Sequence, residues 1–247
     1  LCAKTGTDAM NTEIEYVVNS KGDQYWYLNG KLHREDGPAA IYSNGSQIWY
    51  LNGELHREDG PAIVYRNGNE HWYLNGKLHR EDGPAIIDNG SKFWYLNGQR
   101  HREDGPAIVY SDGTKYWYLH GKLHRENGPA VVYRNRFEEW YLNGKLHRED
   151  GPAIIYSNGS KFWYLNGKLH REDGPAIVYN DGSEVWYLNG NLHREDGPAV
   201  INSDGSIYWY LDNVKLSFNE WLKKLKLSKE QKQHLIEKFS QNPLLFK

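Results

Sequence analysis

The chain is poor in sulfur: 247 residues hold one cysteine, Cys2, and one methionine, Met10. A lone cysteine makes no internal disulfide and excludes the cysteine-rich zinc patterns. No apolar run approaches the eighteen residues of a membrane-spanning helix. Leu1 to Ala9 lack the basic-then-apolar layout of a secretory signal. A cytoplasmic location is therefore expected, with a secreted or cell-surface one open if a signal has been removed. Met10 reads as a natural start, and residues 1–13 are expected to be disordered or introduced for expression. Positive charge is also scarce over most of the chain. Formal net charge is −2, yet from Val214 onward eight Lys face three Glu, leaving −7 on everything before. So acidic a body argues against general nucleic-acid binding. There is no Gly-rich phosphate loop and no G-x-S-x-G nucleophile elbow.

Aromatic residues, by contrast, are abundant: ten Trp and nineteen Tyr must carry much of the burial. Their placement is periodic. Trp recurs at 26, 49, 72, 94, 117, 140, 163, 186 and 209, every interval being 23 except one of 22 between Trp72 and Trp94. A cassette HREDGPA begins at His33, His56, His79, His101, His147, His170 and His193, with HRENGPA at His124. Periods of this length are the mark of a repeat architecture, in which each unit stacks on the next.

One unit, Pro38 to Gly53, reads as a β-hairpin. Ala39–Tyr42 suits a strand and Gln47–Leu51 a return strand. Asn44-Gly45 is expected to form a two-residue type I′ turn, setting Ile41 opposite Ile48 and Ala40 opposite Trp49. Alternation then places Trp49 with Ala40, Tyr42 and Leu51 on one face, expected to be the better buried. Ile41, Ile48, Ala39 and Tyr50 fall on the other, whose Ile48 position admits His71 and Glu139. Asn52-Gly53 makes a second turn, and Pro38 stands where a strand starts because proline cannot donate inside a sheet. The expected fold is an all-β repeat protein: tandem 23-residue β-hairpins forming an elongated, twisted antiparallel sheet over residues 14–213, with a small C-terminal helical cap over 214–247. Closure into a propeller is the competing architecture.

Ile14–Lys21 resembles an incomplete first hairpin, and Ser217-Phe218-Asn219-Glu220 and Ser228-Lys229-Glu230-Gln231 are capping boxes. Two helices are expected, about 217–226 and 229–241, with Phe218, Trp221, Leu222, Leu225, Leu235, Ile236 and Phe239 covering the last hairpin. Three irregularities stand out. One unit is a residue short at Asp88-Asn89-Gly90. Another has Asn135-Arg136 where others have Asn-Gly, and Arg100 replaces an anchoring Leu.

The cassette offers His, Arg, Glu and Asp in every unit, but catalysis requires one asymmetric constellation in a pocket. Equivalent histidines about 10 Å apart, the expected advance of two strands, cannot share a zinc ion. No catalytic residue, metal site or cofactor is assigned. The cassette is expected to be structural, with Arg34 pairing with Glu35, Asp36 or a neighbour's acids in a ladder along one side.

Asn52-Gly53-Glu54-Leu55-His56 and Asn166-Gly167-Lys168-Leu169-His170, each followed by an aromatic strand and another Asn-Gly, resemble the MORN-repeat variant family over residues 14–213. That family usually follows the His with Gly, where this chain has Arg-Glu-Asp-Gly-Pro-Ala. The resemblance implies an extended hairpin ribbon used as an interaction scaffold, with no catalytic residues to carry over. Trp163-Tyr164-Leu165-Asn166-Gly167 is similar to the aromatic cell-wall-binding repeats of bacterial surface proteins, which implies choline or glucan binding as an alternative. The leading expectation is a non-catalytic scaffold for another protein, an adaptor or a phage or host-defence inhibitor. It would dock through the tyrosine column Tyr50, Tyr73, Tyr95, Tyr118, Tyr141, Tyr164 and Tyr187. Carbohydrate is the alternative ligand.

Overall fold

The computed structural model describes residues 13–240. Most of the expected disordered N-terminus, including Cys2 and Met10, lies outside the described residues, as does Pro243. The expected antiparallel array of tandem hairpins with a two-helix C-terminal cap is what the structure shows. It comprises two compact units, the first ending at Lys122 and the second beginning at Leu123.

In the first unit the sheet runs from the edge strand Glu15–Val18 to Gln24–Leu28, then Ala40–Ile41, Gln47–Ile48, Ile63–Val64 and Glu70–His71, and on to Lys115–Tyr116. The second repeats the scheme from Val131–Val132 and Glu138–Glu139 to Ile207–Leu211 and Val214–Leu216. The pairings named are all antiparallel, and within each repeat hairpin the two- or three-residue connection requires it. A second, tighter hairpin follows each Trp. Tyr50–Leu51 pairs with Glu54–Leu55 across Asn52-Gly53, whose φ values of 54° and 86° make the type I′ turn.

The larger hairpin departs from expectation by one residue. Ala40 faces Ile48 and Ile41 faces Gln47, and the Tyr42 amide donates to the Ser46 carbonyl. The loop is therefore Ser43-Asn44-Gly45, with only Gly45 at positive φ (90°). The Asn44 carboxamide explains the difference. It accepts the Ser46 amide at 2.8 Å, which holds Asn44 out of the left-handed region and leaves a three-residue loop closed by a left-handed glycine. A one-residue slip exchanges the faces of one strand. Ala40 thus shares its face with Ile48, and Tyr42 and Tyr50 also lie close together, while Trp49 turns the other way with Leu51. The expected grouping of Trp49 with Ala40 and Tyr42 is wrong for that reason. The short unit proves the rule. With one residue fewer, Asp88 faces Ser91 across Asn89-Gly90, both at positive φ, and the two-residue turn appears.

Burial follows from this register. The cassette alanines Ala39, Ala62, Ala85, Ala107, Ala130, Ala153, Ala176 and Ala199 are fully buried, and Ile63, Ile108, Val131, Ile154 and Ile177 nearly so. The repeat tryptophans are only half-buried except Trp209, so the expected better-buried Trp face is not the core. The amides of Trp26, Trp49, Trp72, Trp94, Trp140, Trp163 and Trp186 each donate to the alanine carbonyl of the following cassette, from Trp49 to Ala62 at 2.7 Å. Turn tips are also stitched: the Ser46 hydroxyl accepts the Arg66 amide, and Ser160 does the same for Asn180.

Among the described residues, the cap holds the one large apolar cluster. Helix α1 (Phe218–Lys224) opens on a complete capping box at Ser217 and Glu220, and helix α2 is Lys229–Ser240. Helix α1 is slightly shorter than expected, whereas α2 begins at the expected residue and position 241 lies outside the described residues. Trp209, Phe218, Trp221, Leu222, Leu225 and Leu235 pack together, and the Trp221 indole donates to the Arg194 carbonyl at 2.8 Å.

Candidate functional site

The cassette side is saturated with its own contacts. Arg34, Arg57, Arg80, Arg102, Arg148, Arg171 and Arg194 each lie over the Trp eight residues earlier, at 3.8–4.2 Å from the ring centroid, as for Arg57 over Trp49. The same guanidinium donates to the Asp two residues on and to the proline carbonyl four on, as in Arg57 to Asp59 (2.9 Å) and Pro61 (3.3 Å). The glycine of the cassette is explained by this clamp: a Cβ at Gly60 would come within 2.8 Å of the Arg57 Cζ. These arginine–aspartate pairs stay inside one cassette, so the expected ladder between neighbours is not an ionic one. The joint is made instead by the backbone and by histidine. Within the first unit the Arg34 amide donates to the Tyr50 carbonyl, the Gly53 amide to the Leu32 carbonyl, and the Asn52 amide to His33 Nδ1 at 3.0 Å. An accepting Nδ1 leaves the proton on Nε2, which looks toward Glu35 at 3.7 Å. Seen this way the cassette histidine is a capping group for the backbone amide of the next tight turn, and His101 accepts the His120 amide at 3.1 Å in the same way.

Successive cassettes flank open grooves. One, of about 750 Å³, is lined by Arg80, Glu81, Trp94, Leu96, Arg102 and Glu103. Its rims carry exposed carboxylates, but every arginine and aspartate in it is engaged. Among the described residues no group of three or more His, Cys, Asp and Glu could hold a metal ion, and no helix is long and apolar enough to cross a membrane.

The opposite face is aromatic. In the first unit Tyr50, Tyr73, Tyr95 and Tyr118 stand there, and in the second Tyr141, Tyr164 and Tyr187 hold the equivalent positions, each half-buried. Burial, with neighbouring tyrosines adding to it, raises the hydroxyls of Tyr50, Tyr73, Tyr164 and Tyr187 above the ordinary phenol range, so they stay neutral hydrogen-bonding groups. A second column, not assigned as a binding surface from the sequence, is more exposed: Tyr65, Tyr110, Tyr156 and Tyr179 show 38–40% of their surface. Its signal was the residue just before each hairpin loop, legible only once the loop length is right. These rings meet those of the return strands edge-on, as in Phe93–Tyr110 (5.6 Å) and Phe162–Tyr179 (5.8 Å), while Phe137 stacks flat between Tyr133 and Tyr156. The Ile48 position lies on this face and is not the exposed site expected. Burial lowers His71 and raises Glu139, the latter partly offset by a hydrogen bond from Tyr141.

Arg100 is the exception in the column of Leu32, Leu55, Leu78, Leu123, Leu146, Leu169 and Leu192. It pairs across the tight hairpin with Tyr95. Burial opposes its charge, but the hydroxyls of Tyr95 and Tyr118 outweigh that and raise its pKa.

No protein-family model matches the chain, and no curated protein is found similar to it. The structure by itself carries the repeat architecture.

Proposed function

We propose that the chain is a non-catalytic binding scaffold that docks another protein on its aromatic face. The observation that carries the reading is the double tyrosine column. Tyr50, Tyr73 and Tyr95 stand beside the more exposed Tyr65 and Tyr110, and among the described residues no buried side-chain polar atom lacks a hydrogen bond. Rigid rings with polar tips offer large contact area at low entropic cost, the composition favoured in interface centres. The arginine and aspartate of each cassette are engaged with each other and its histidine joins it to the next turn, which supports a scaffold over an enzyme. The Asn-Gly hairpins followed by His support kinship with the MORN-repeat variants. That family's use as interaction scaffolds agrees with the reading.

The test compares capture of host proteins by the native chain and by a Tyr50→Ser, Tyr73→Ser, Tyr95→Ser variant. A specific partner lost by the variant, with circular dichroism unchanged, is expected. An unchanged captured set rejects this face. Retention of the native chain on a choline or glucan column, abolished by the same variant, favours carbohydrate instead.

A further inference from the structure

The aromatic face of the first unit carries one charge that the repeat does not call for. Seven units place Leu at the position of Arg100, so an apolar side chain fits there and the guanidinium is not required by the fold. Arg100 is half-buried. Its Nε donates to the Tyr95 hydroxyl at 3.2 Å and one terminal nitrogen to the Tyr118 hydroxyl at 3.4 Å, and its Cζ lies 5.3 Å from the Tyr118 ring. Among the described residues no carboxylate pairs with it, whereas Arg34, Arg57, Arg80 and Arg102 each hold an aspartate. A guanidinium has five N–H donors. Two are used, and the planar fork is held in place by two hydroxyls. Taking a charge partly out of water without a counter-charge is costly, and a ligand anion removes that cost.

We infer that Arg100, with Tyr95 and Tyr118, forms a subsite for a carboxylate carried by an acidic segment of the docked partner. This rests on the docking role proposed for the face. One guanidinium neutralises a monoanion, whereas a phosphate dianion would leave excess negative charge among repeats that already carry net negative charge. Bidentate pairing of arginine with a carboxylate is both directional and strong. Phe93, Tyr110 and Tyr116, packed edge-on beside the site, offer apolar surface to the residues flanking that carboxylate.

The test is a titration of the full chain followed by NMR at the Arg100 Nε–Hε signal, assigned by its absence in Arg100→Leu. The probe is a blocked Leu-Asp-Leu peptide, with Leu-Asn-Leu and inorganic phosphate as the other arms. The expected result is a saturable shift at Arg100 and at the Tyr95 and Tyr118 rings. Binding should fall about ten-fold or more for the Asn peptide and for Arg100→Leu, since a charge-assisted pair is lost. Arg100→Leu restores the residue of the other units and should keep the native circular dichroism. Arg100→Lys, which keeps the charge without the fork, should bind between the two. No saturable shift, equal binding of the Asn peptide, undiminished binding by Arg100→Leu, or tighter binding of phosphate would each overturn the assignment. The titration needs no partner, so its failure is separate from failure of the tyrosine capture test.

Discussion

Replacing Arg57 asks whether the cassette works by ion pairing or by packing on tryptophan. The guanidinium lies 4.1 Å over the Trp49 ring, with three quarters of the side chain covered. A partly desolvated cation–π contact contributes about 1–2 kcal/mol. The covered stem and the bond to the Pro61 carbonyl add to it, so Arg57→Ala should cost roughly 2–3 kcal/mol. Arg57→Lys keeps charge and stem but loses the flat stack and the fork, and about 1 kcal/mol is expected. The carboxylate partner Asp59 is 85% exposed, and exposed pairs contribute little, so Asp59→Asn should barely move stability. The assay is urea unfolding, comparing midpoints at unchanged slope, repeated in 1 M NaCl. The order Ala, then Lys, then Asp59→Asn should survive salt. If Asp59→Asn matches Arg57→Ala, or salt abolishes the arginine effect, the stacking argument is wrong.

Other consequences follow from the same geometry. Gly60→Ala should push Arg57 off Trp49 and destabilise by urea unfolding, with markedly less than additive loss in combination with Arg57→Ala. Arg136 occupies at φ 64° the loop position that Gly45 holds elsewhere, so Arg136→Gly should stabilise by about 1 kcal/mol in thermal unfolding. Burial raises Glu139, so the native chain holds that proton more tightly than the unfolded chain. The resulting stability is full below the ordinary carboxylate range and is lost as pH rises through the raised value. Glu139→Gln should therefore exceed the native chain in urea midpoint at neutral pH and lose that advantage in acid. His71, lowered by burial, acts in the opposite direction: the stability of its neutral form is present above the ordinary imidazole range and lost as pH falls through the lowered value. His71→Phe should remove that loss from a urea–pH series.

Much of the architecture was legible because the period of the tryptophans and the Asn-Gly pairs act locally. Gly53 and Asn52 adopt the left-handed turn their dipeptide favours, and Ser217-x-x-Glu220 caps the helix its spacing announces. The register of the larger hairpin was not legible from the dipeptide alone. Asn44-Gly45 and Asn52-Gly53 are the same pair, yet a side-chain bond to the Ser46 amide makes one a three-residue loop. That single step decided which face holds the tryptophans. The cassette showed its structural character in its repetition, but not its geometry. The Arg–Trp stack and the His33 cap of the Asn52 amide join residues eight and nineteen positions apart, which only the folded backbone brings together. The tyrosine column was found in the sequence, whereas the more exposed Tyr65 and Tyr110 depend on the corrected loop.

The central claim is that one unit meets the next through the same contacts everywhere within a compact unit, so an interior period can be removed without loss of register. Deleting residues 148–170 joins His147 to Arg171 and offers Trp140 the Ala176 carbonyl in place of that of Ala153. Hydrogen exchange at the Trp140 amide is the direct measurement. Protection equal to that in the full chain, with the β-sheet circular dichroism retained, is the predicted result. Free exchange at Trp140 in a chain that otherwise stays folded would contradict it.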